Sequence, residues 1–252
     1  MEAFIPYVED SLPEIRSVAR YQISQAGLRS DSEKTRKKAI TAILKGLDDK
    51  DASSVAQSID LLQDFKPSDF TPEDRYVIAQ KAKTGTFQHD KLILLTGYLH
   101  ITDLIYNYRL MLNEKQYSPR VKMSLNLALA RMGDSTAVSF LKGKLAILHV
   151  NDNIVYEIFP LLTYTRQRAA FDFLLQTIQS EEKNCLSSNP DKEEPIICAY
   201  RIIEMVAPYI HDFPAKIENR ELVSDDYSKT LMAVKEWIKE HKTDYTLNYE
   251  AY

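Results

Sequence analysis

Glycine is scarce in this chain, with six residues in 252. That is about 2%, where about 7% is usual. A barrel, a sandwich or a glycine-rich phosphate loop would want more. Cysteine is scarcer still. Cys185 and Cys198 are the whole supply, and two do not make a disulfide framework. Cys185 lies in a polar stretch and Cys198 in an apolar one, so two free thiols are expected. Long apolar runs are also missing. The longest aliphatic run is Leu92 to Leu95, against the roughly 18 residues a bilayer span needs, so no membrane span is expected. Nor is there an excess of positive charge. Lys and Arg number 32 against 36 Asp and Glu, for a net charge of -4, which argues against a broad nucleic-acid surface. The start, Met1-Glu2-Ala3-Phe4-Ile5-Pro6, has neither a basic nor an apolar leader segment. A cytoplasmic protein is therefore expected, with export after removal of a leader as the alternative.

What the chain has in quantity is helical period. Its length and its 44% hydrophobic content suffice for a core without disulfide or metal. Apolar residues recur at intervals of three and four: Val121, Leu125, Ala128, Leu129 and Met132; Ala39, Ile40, Ile43, Leu44 and Leu47; Tyr227, Leu231, Val234 and Ile238. Sustained period-two alternation and Asn-Gly or Asp-Gly hairpin signals are absent. Start signals agree with the period. Ser11 with Glu14 and Ser30 with Glu33 suggest capping boxes. Thr71-Pro72 and Ser118-Pro119 place a cap before a first-turn proline. Asp134 and Ser224 are further cap candidates. Twelve helices are predicted, at 11–26, 31–47, 51–64, 72–84, 88–98, 102–113, 118–132, 135–149, 152–164, 167–180, 194–210 and 225–241. Short links such as Gly133-Asp134 and Thr165-Arg166 make neighbours antiparallel. Two links, 181–193 and 211–224, are longer and polar.

The helix pairs repeat. Residues 118–148 carry Leu125, Ala128, Leu129, a turn at Gly133-Asp134, then Ala137, Phe140 and Leu141. Thirty-three residues later stand Ile158, Leu161, Leu162, then Ala170, Phe173 and Leu174; thirty-six earlier stand Ile93, Leu104 and Ile105. The segment from Val121 to Leu141, with Ala128-Leu129-Ala130-Arg131-Met132-Gly133-Asp134 followed by Ala137-Val138, resembles a HEAT-like repeat of the short bacterial kind also found in phycobilisome lyases. In that form a hydrophobic helix ends in a small residue and an acid, and an Ala-led helix follows. The clear match covers about thirty residues, with looser matches over 88–180. The resemblance implies an all-α superhelix, a solenoid of about twelve antiparallel helices, read here as one domain over 1–252. Residues 1–180 would be regular pairs and 181–252 an elaborated C-terminal cap. Stacking hides each unit's apolar stripe against the next, so the first and last pairs should be more polar outside. The resemblance does not imply lyase activity.

Motifs for chemistry are lacking. The histidines, His89, His100, His149, His211 and His241, show no metal-ligand spacing. No nucleophile elbow, Walker loop or dinucleotide fingerprint occurs. The carboxylate pairs Asp48-Asp49, Glu181-Glu182, Glu193-Glu194 and Asp225-Asp226 fall at helix ends or in loops, where acids cap or solvate. The basic run Lys34-Thr35-Arg36-Lys37-Lys38 suits a solvated face or an anion spot. Residues 181–252 hold 9 bases and 15 acids, an acidic pole. No cofactor, metal or catalytic residue is therefore expected.

Fifteen tyrosines are the remaining signal. Tyr108 falls at core spacing with Leu104, Ile105 and Leu112. Tyr106 beside Arg109, and Tyr164 beside Arg166 and Arg168, are expected on exposed faces. Tyr and Arg are enriched at recognition hot spots. If second helices line the concave side, as the HEAT resemblance implies, these five are the candidate binding residues. The expected function is a non-enzymatic scaffold for a protein or peptide partner. The rivals are a HEAT-like enzyme of lyase or DNA-glycosylase type, and a compact helical structural domain of an oligomer.

Overall fold

The computed structural model describes residues 1–85, 87–187, 194–219, 221–250 and 252. Among them are twelve α-helices and one short hairpin, an all-α architecture. Two compact units are present. The first, residues 1–134 with Tyr252, contains α1 (Pro13–Leu28), α2 (Glu33–Leu44), α3 (Ala52–Gln63), α4 (Pro72–Thr84), α5 (His89–Tyr98), α6 (Ile105–Asn113) and α7 (Pro119–Arg131). The second, residues 135–251, contains α8 (Ser135–Leu145), α9 (Phe159–Thr165), α10 (Arg168–Gln179), α11 (Ala199–Val206), β1 (Lys216–Glu218), β2 (Glu221–Val223) and α12 (Tyr227–Glu240). Each of the twelve expected helices has a counterpart.

In the first unit each helix packs on the next helix in the chain, on the next but one, or on both. α1 meets α2 and α3, α2 meets α3 and α4, and α5 meets α3, α4 and α7. The aliphatic run Leu92–Leu95 is explained by this, because α5 is covered on three sides and buries Leu92, Ile93 and Leu95. Side chains 33 residues apart meet repeatedly. Arg16 holds Asp49, Arg36 holds Asp69, Thr41 Oγ1 donates to Asp74, Lys81 pairs with Asp48, and Tyr98 Oη donates to the Phe65 carbonyl.

The same interval marks helix ends. His100, Gly133 and Arg166 all have left-handed backbone, at φ 55°, 87° and 51°, and stand 33 residues apart. After α5, His100 N donates to Gly97 O and Ile101 N to Thr96 O; after α7, Gly133 N donates to Ala130 O and Asp134 N to Leu129 O. Both are Schellman ends, which satisfy the last carbonyls of a helix. Aligned on them, Leu92 corresponds to Leu125 and Leu95 to Ala128. The backward offset is thus 33 rather than the 36 expected.

Local departures have local causes. Leu12, not Ser11, is the cap of α1, and the Leu12 amide donates to Asp10 Oδ1 at 2.9 Å. Ser32 rather than Ser30 caps α2, and Asp226 rather than Ser224 caps α12. Thr71 forms a full capping box with Asp74, and Ser118 caps α7 as expected. The helix expected from 152 passes through a π-helical turn, Ile154–Ile158, before α9. Pro160 lacks the N–H that an α-helical ladder would need there. Asp49 does not solvate as expected of a loop acid; its side chain is buried between Arg16 and Arg20. The first pair was expected to be more polar outside, yet its first helix leaves Ile15, Val18 and Tyr21 exposed.

The second unit repeats the packing pattern, with α10 against α8, α9, α11 and α12. α10 buries Ala170, Phe171, Leu174, Leu175 and Ile178. Here the expectation of two free thiols is corrected, because Cys185 and Cys198 form a disulfide. The polar stretch folds back so that Cys185 and Ile196 exchange two backbone hydrogen bonds of 3.0 and 2.7 Å. The Cα atoms of the two cysteines then lie 5.2 Å apart, within bridging range. Of the polar link at 181–193, residues 188–193, and with them Glu193 of the expected acid pair, lie outside the described residues. The β1–β2 hairpin was not expected. Asn219, at φ 51°, belongs to a residue type that tolerates this conformation, but no Asn-Gly marks it.

Candidate binding surface

The five candidate residues do not behave alike. Tyr106 on α6 is 70% exposed, as expected. Arg109, one helical turn on, is also exposed, but its Nε donates to Asp134 Oδ2 at 2.6 Å. It thereby anchors the Gly133-Asp134 turn, whose acid is buried. Tyr164 and Arg166 were expected on an exposed face and are buried, at 6% and 1%. Arg166 lies 3.6 Å above the Tyr209 ring, donates from Nε to Asn248 O and from Nη1 to Thr163 O, and accepts from Tyr249 Oη at its own carbonyl. Arg168 lies 3.6 Å above Tyr245 and donates to the carbonyls of Tyr245 and Lys242. The physical reason for the correction is the C-terminal segment. It returns across α9 and α10 and takes both guanidinium groups as anchors for residues 242–249. Tyr245 is buried with its Oη on Asp172, and burial followed by that carboxylate pushes its pKa up.

The basic run at 34–38 is largely committed to ion pairs. Arg36 holds Asp69, Lys37 holds Glu33 and Lys38 holds Glu2, so a solvated, internally neutralised face is what the structure shows. His89 Nε2 lies 2.8 Å from Ala82 O, and His241 stacks on Trp237 with ring centroids 4.7 Å apart. Among the described residues, no group of three His, Cys, Asp or Glu side chains is arranged to hold a metal ion. No helix among them is long and apolar enough to cross a membrane.

One groove was missed in the sequence. It lies in the first unit between α4 and the segment 100–104, with a volume of about 470 Å³. The capping box at Thr71 fixes the start of α4. Tyr76, Gln80 and Lys83 then fall at i, i+4 and i+7 on one helix face and line the groove. The Schellman end of α5 supplies the other wall, with His100 turned out by its left-handed backbone and Asp103 following. Tyr76 is 65% exposed, and Lys83 and His100 are exposed. Tyr106 stands two residues beyond the groove-lining Leu104. Arg75 forms part of the lining and fastens the two walls, donating to the Leu99 and Pro67 carbonyls. Burial holds its pKa below the ordinary arginine value. The signal that could have found this groove is the exposed Tyr76 amid the charged residues of α4. By period alone it reads as an ordinary solvated position.

A second groove, in the other unit, runs beside α10 with a volume of about 510 Å³. Gln176, Thr177, Ser180 and Asn184 line it, with Cys198 at one wall. Among the described residues its lining holds no exposed Tyr, Trp or Phe, Phe173 being half-buried. Comparison of the chain with protein-family models, with curated proteins and with solved structures finds no match in any of the three.

Proposed function

We propose that this chain is a non-enzymatic repeat scaffold, a HEAT-like superhelix, that binds a protein or peptide partner on the face presented by α4 and α6. The observation that carries the reading is the groove beside α4, lined by the exposed Tyr76, with the exposed Tyr106 following two residues after the groove-lining Leu104 in the sequence. Large exposed aromatic residues beside a groove are the usual anchors of an interface. Contacts recurring every 33 residues support the stacked-repeat part of the reading. Arg109, Tyr164, Arg166 and Arg168 have structural duties and drop out of the proposed anchor set. The buried Cys185–Cys198 disulfide favours export over the cytoplasm, because disulfides persist in oxidising compartments.

Photo-crosslinking tests the scaffold reading. A photoreactive amino acid is placed at Tyr76, at Tyr106 and, as control, at Lys34. One shared partner joined from both tyrosine positions and not from the control is expected. Adducts no different from the control at both positions would remove the binding face.

A further inference from the structure

Several arginines of the first unit close on carboxylates. Arg16 and Arg20 close on Asp49, Arg36 on Asp69, and Arg109 on Asp134. Arg75 closes on two main-chain carbonyls instead. Its burial lowers its pKa from the ordinary arginine value. Two of its five N–H donors have these carbonyls, and the guanidinium keeps capacity for an anionic acceptor. Lys83 and His100 line the same groove. Neither side chain has a hydrogen bond or ion pair among the described residues. Asp103 is the one carboxylate in the lining.

We infer that the α4 groove takes a carboxylate-bearing segment of a partner protein, with an Asp or Glu side chain set against Arg75, Lys83 and His100 and apolar neighbours against Tyr76. This rests on the scaffold reading and names the chemistry of its partner. Complementary charge gives such a contact its specificity and its approach rate. A long polyanion fits less well, since the chain as a whole carries -4 and would repel it beyond the groove.

A random decapeptide library displayed on phage is selected against the intact chain. Enriched peptides are then measured by fluorescence anisotropy against the parent, Lys83→Glu, Tyr76→Ala and the distant control Lys34→Glu. Enriched peptides should be rich in Asp and Glu. Their affinity should fall on the order of tenfold or more in Lys83→Glu, fall in Tyr76→Ala, stay unchanged in Lys34→Glu, and weaken with added salt. Lys83 and Tyr76 are exposed, so unaltered thermal melts are expected, and Lys83→Gln provides a milder second variant. Enrichment of neutral or basic peptides, or affinity indifferent to both Lys83 variants, overturns the acidic-partner inference and leaves the scaffold reading in place. Failure to enrich any peptide, together with absent crosslinks at Tyr76 and Tyr106, overturns both.

Discussion

Replacing Asp49 by Asn should cost the first unit about 3–5 kcal/mol, the usual result of stripping the counter-charge from a buried pair. The structure sets the size of the effect. The carboxylate accepts from Arg16 Nε at 2.7 Å, Arg16 Nη2 at 2.6 Å and Arg20 Nη2 at 2.7 Å. Its side chain is 1% exposed and that of Arg20 is 2% exposed. Asn keeps the shape, loses the charge and turns an N–H group toward a guanidinium. Arg20 would then be a buried cation whose Nε and Nη1 already lack partners. Urea denaturation followed by far-ultraviolet circular dichroism gives the loss, and hydrogen exchange of the α1 and α3 amides assigns it to the first unit. Adding Arg20→Met to Asp49→Asn should recover part of it, because the orphaned charge leaves with the side chain. The same site predicts a pH dependence. Hydrogen bonds from Arg16, opposed by burial and aided by the Asp51 amide and Arg20, hold the Asp49 carboxyl well below the usual carboxylate range. The folded state thus binds this proton more weakly than the unfolded state. The stabilisation is complete above about pH 4 and is lost as pH falls below that. A loss under about 1 kcal/mol for Asp49→Asn, the size of an exposed pair, would refute the reasoning.

Four further outcomes can be checked by urea denaturation. Gly133→Ala should cost about 1–2 kcal/mol, the price of left-handed backbone for a side chain, since nothing lies within 4 Å of the new Cβ; His100→Gly, at the matching helix end, should cost nothing or stabilise slightly, and a loss of more than about 1 kcal/mol there would contradict the conformational account. Gly46→Ala should destabilise by about 1–3 kcal/mol through overpacking, because its Cβ would stand 2.0 Å from Ser58 Oγ and 2.9 Å from Arg20 Cζ; a neutral result would mean that Arg20 and Ser58 can move aside. Reduction of Cys185–Cys198 should cost the second unit about 3 kcal/mol, as expected for a loop of this length, seen as a lower urea midpoint by Trp237 fluorescence; two thiols titrating in the denatured, unreduced chain would show that the bond is not formed.

The helices were legible in the sequence because their causes are local. Apolar spacing such as Leu125, Ala128, Leu129 and Met132, and caps such as Thr71 and Ser118, act within one or two turns. The Gly133 turn was legible for the same reason. Its counterpart at His100 was not, since His is only an occasional occupant of left-handed backbone. Tyr106 was correctly placed outside by its helical phase, and Tyr108 inside, where its hydroxyl lies 2.7 Å from Thr96 Oγ1.

The residues that went astray depend on partners far along the chain. Arg166 reads as a solvated tip until Asn248, 82 residues on, returns to meet it. Arg168 likewise waits for Tyr245, 77 residues away. Asp49 reads as a loop acid until α1 supplies two arginines from 33 and 29 positions earlier. Period and capping, which need only neighbours, determined that this chain is a succession of helices joined mostly by short links. Tertiary packing alone decided which charges were buried, which cysteines met and which groove stayed open, because each of those requires side chains that no local pattern brings together.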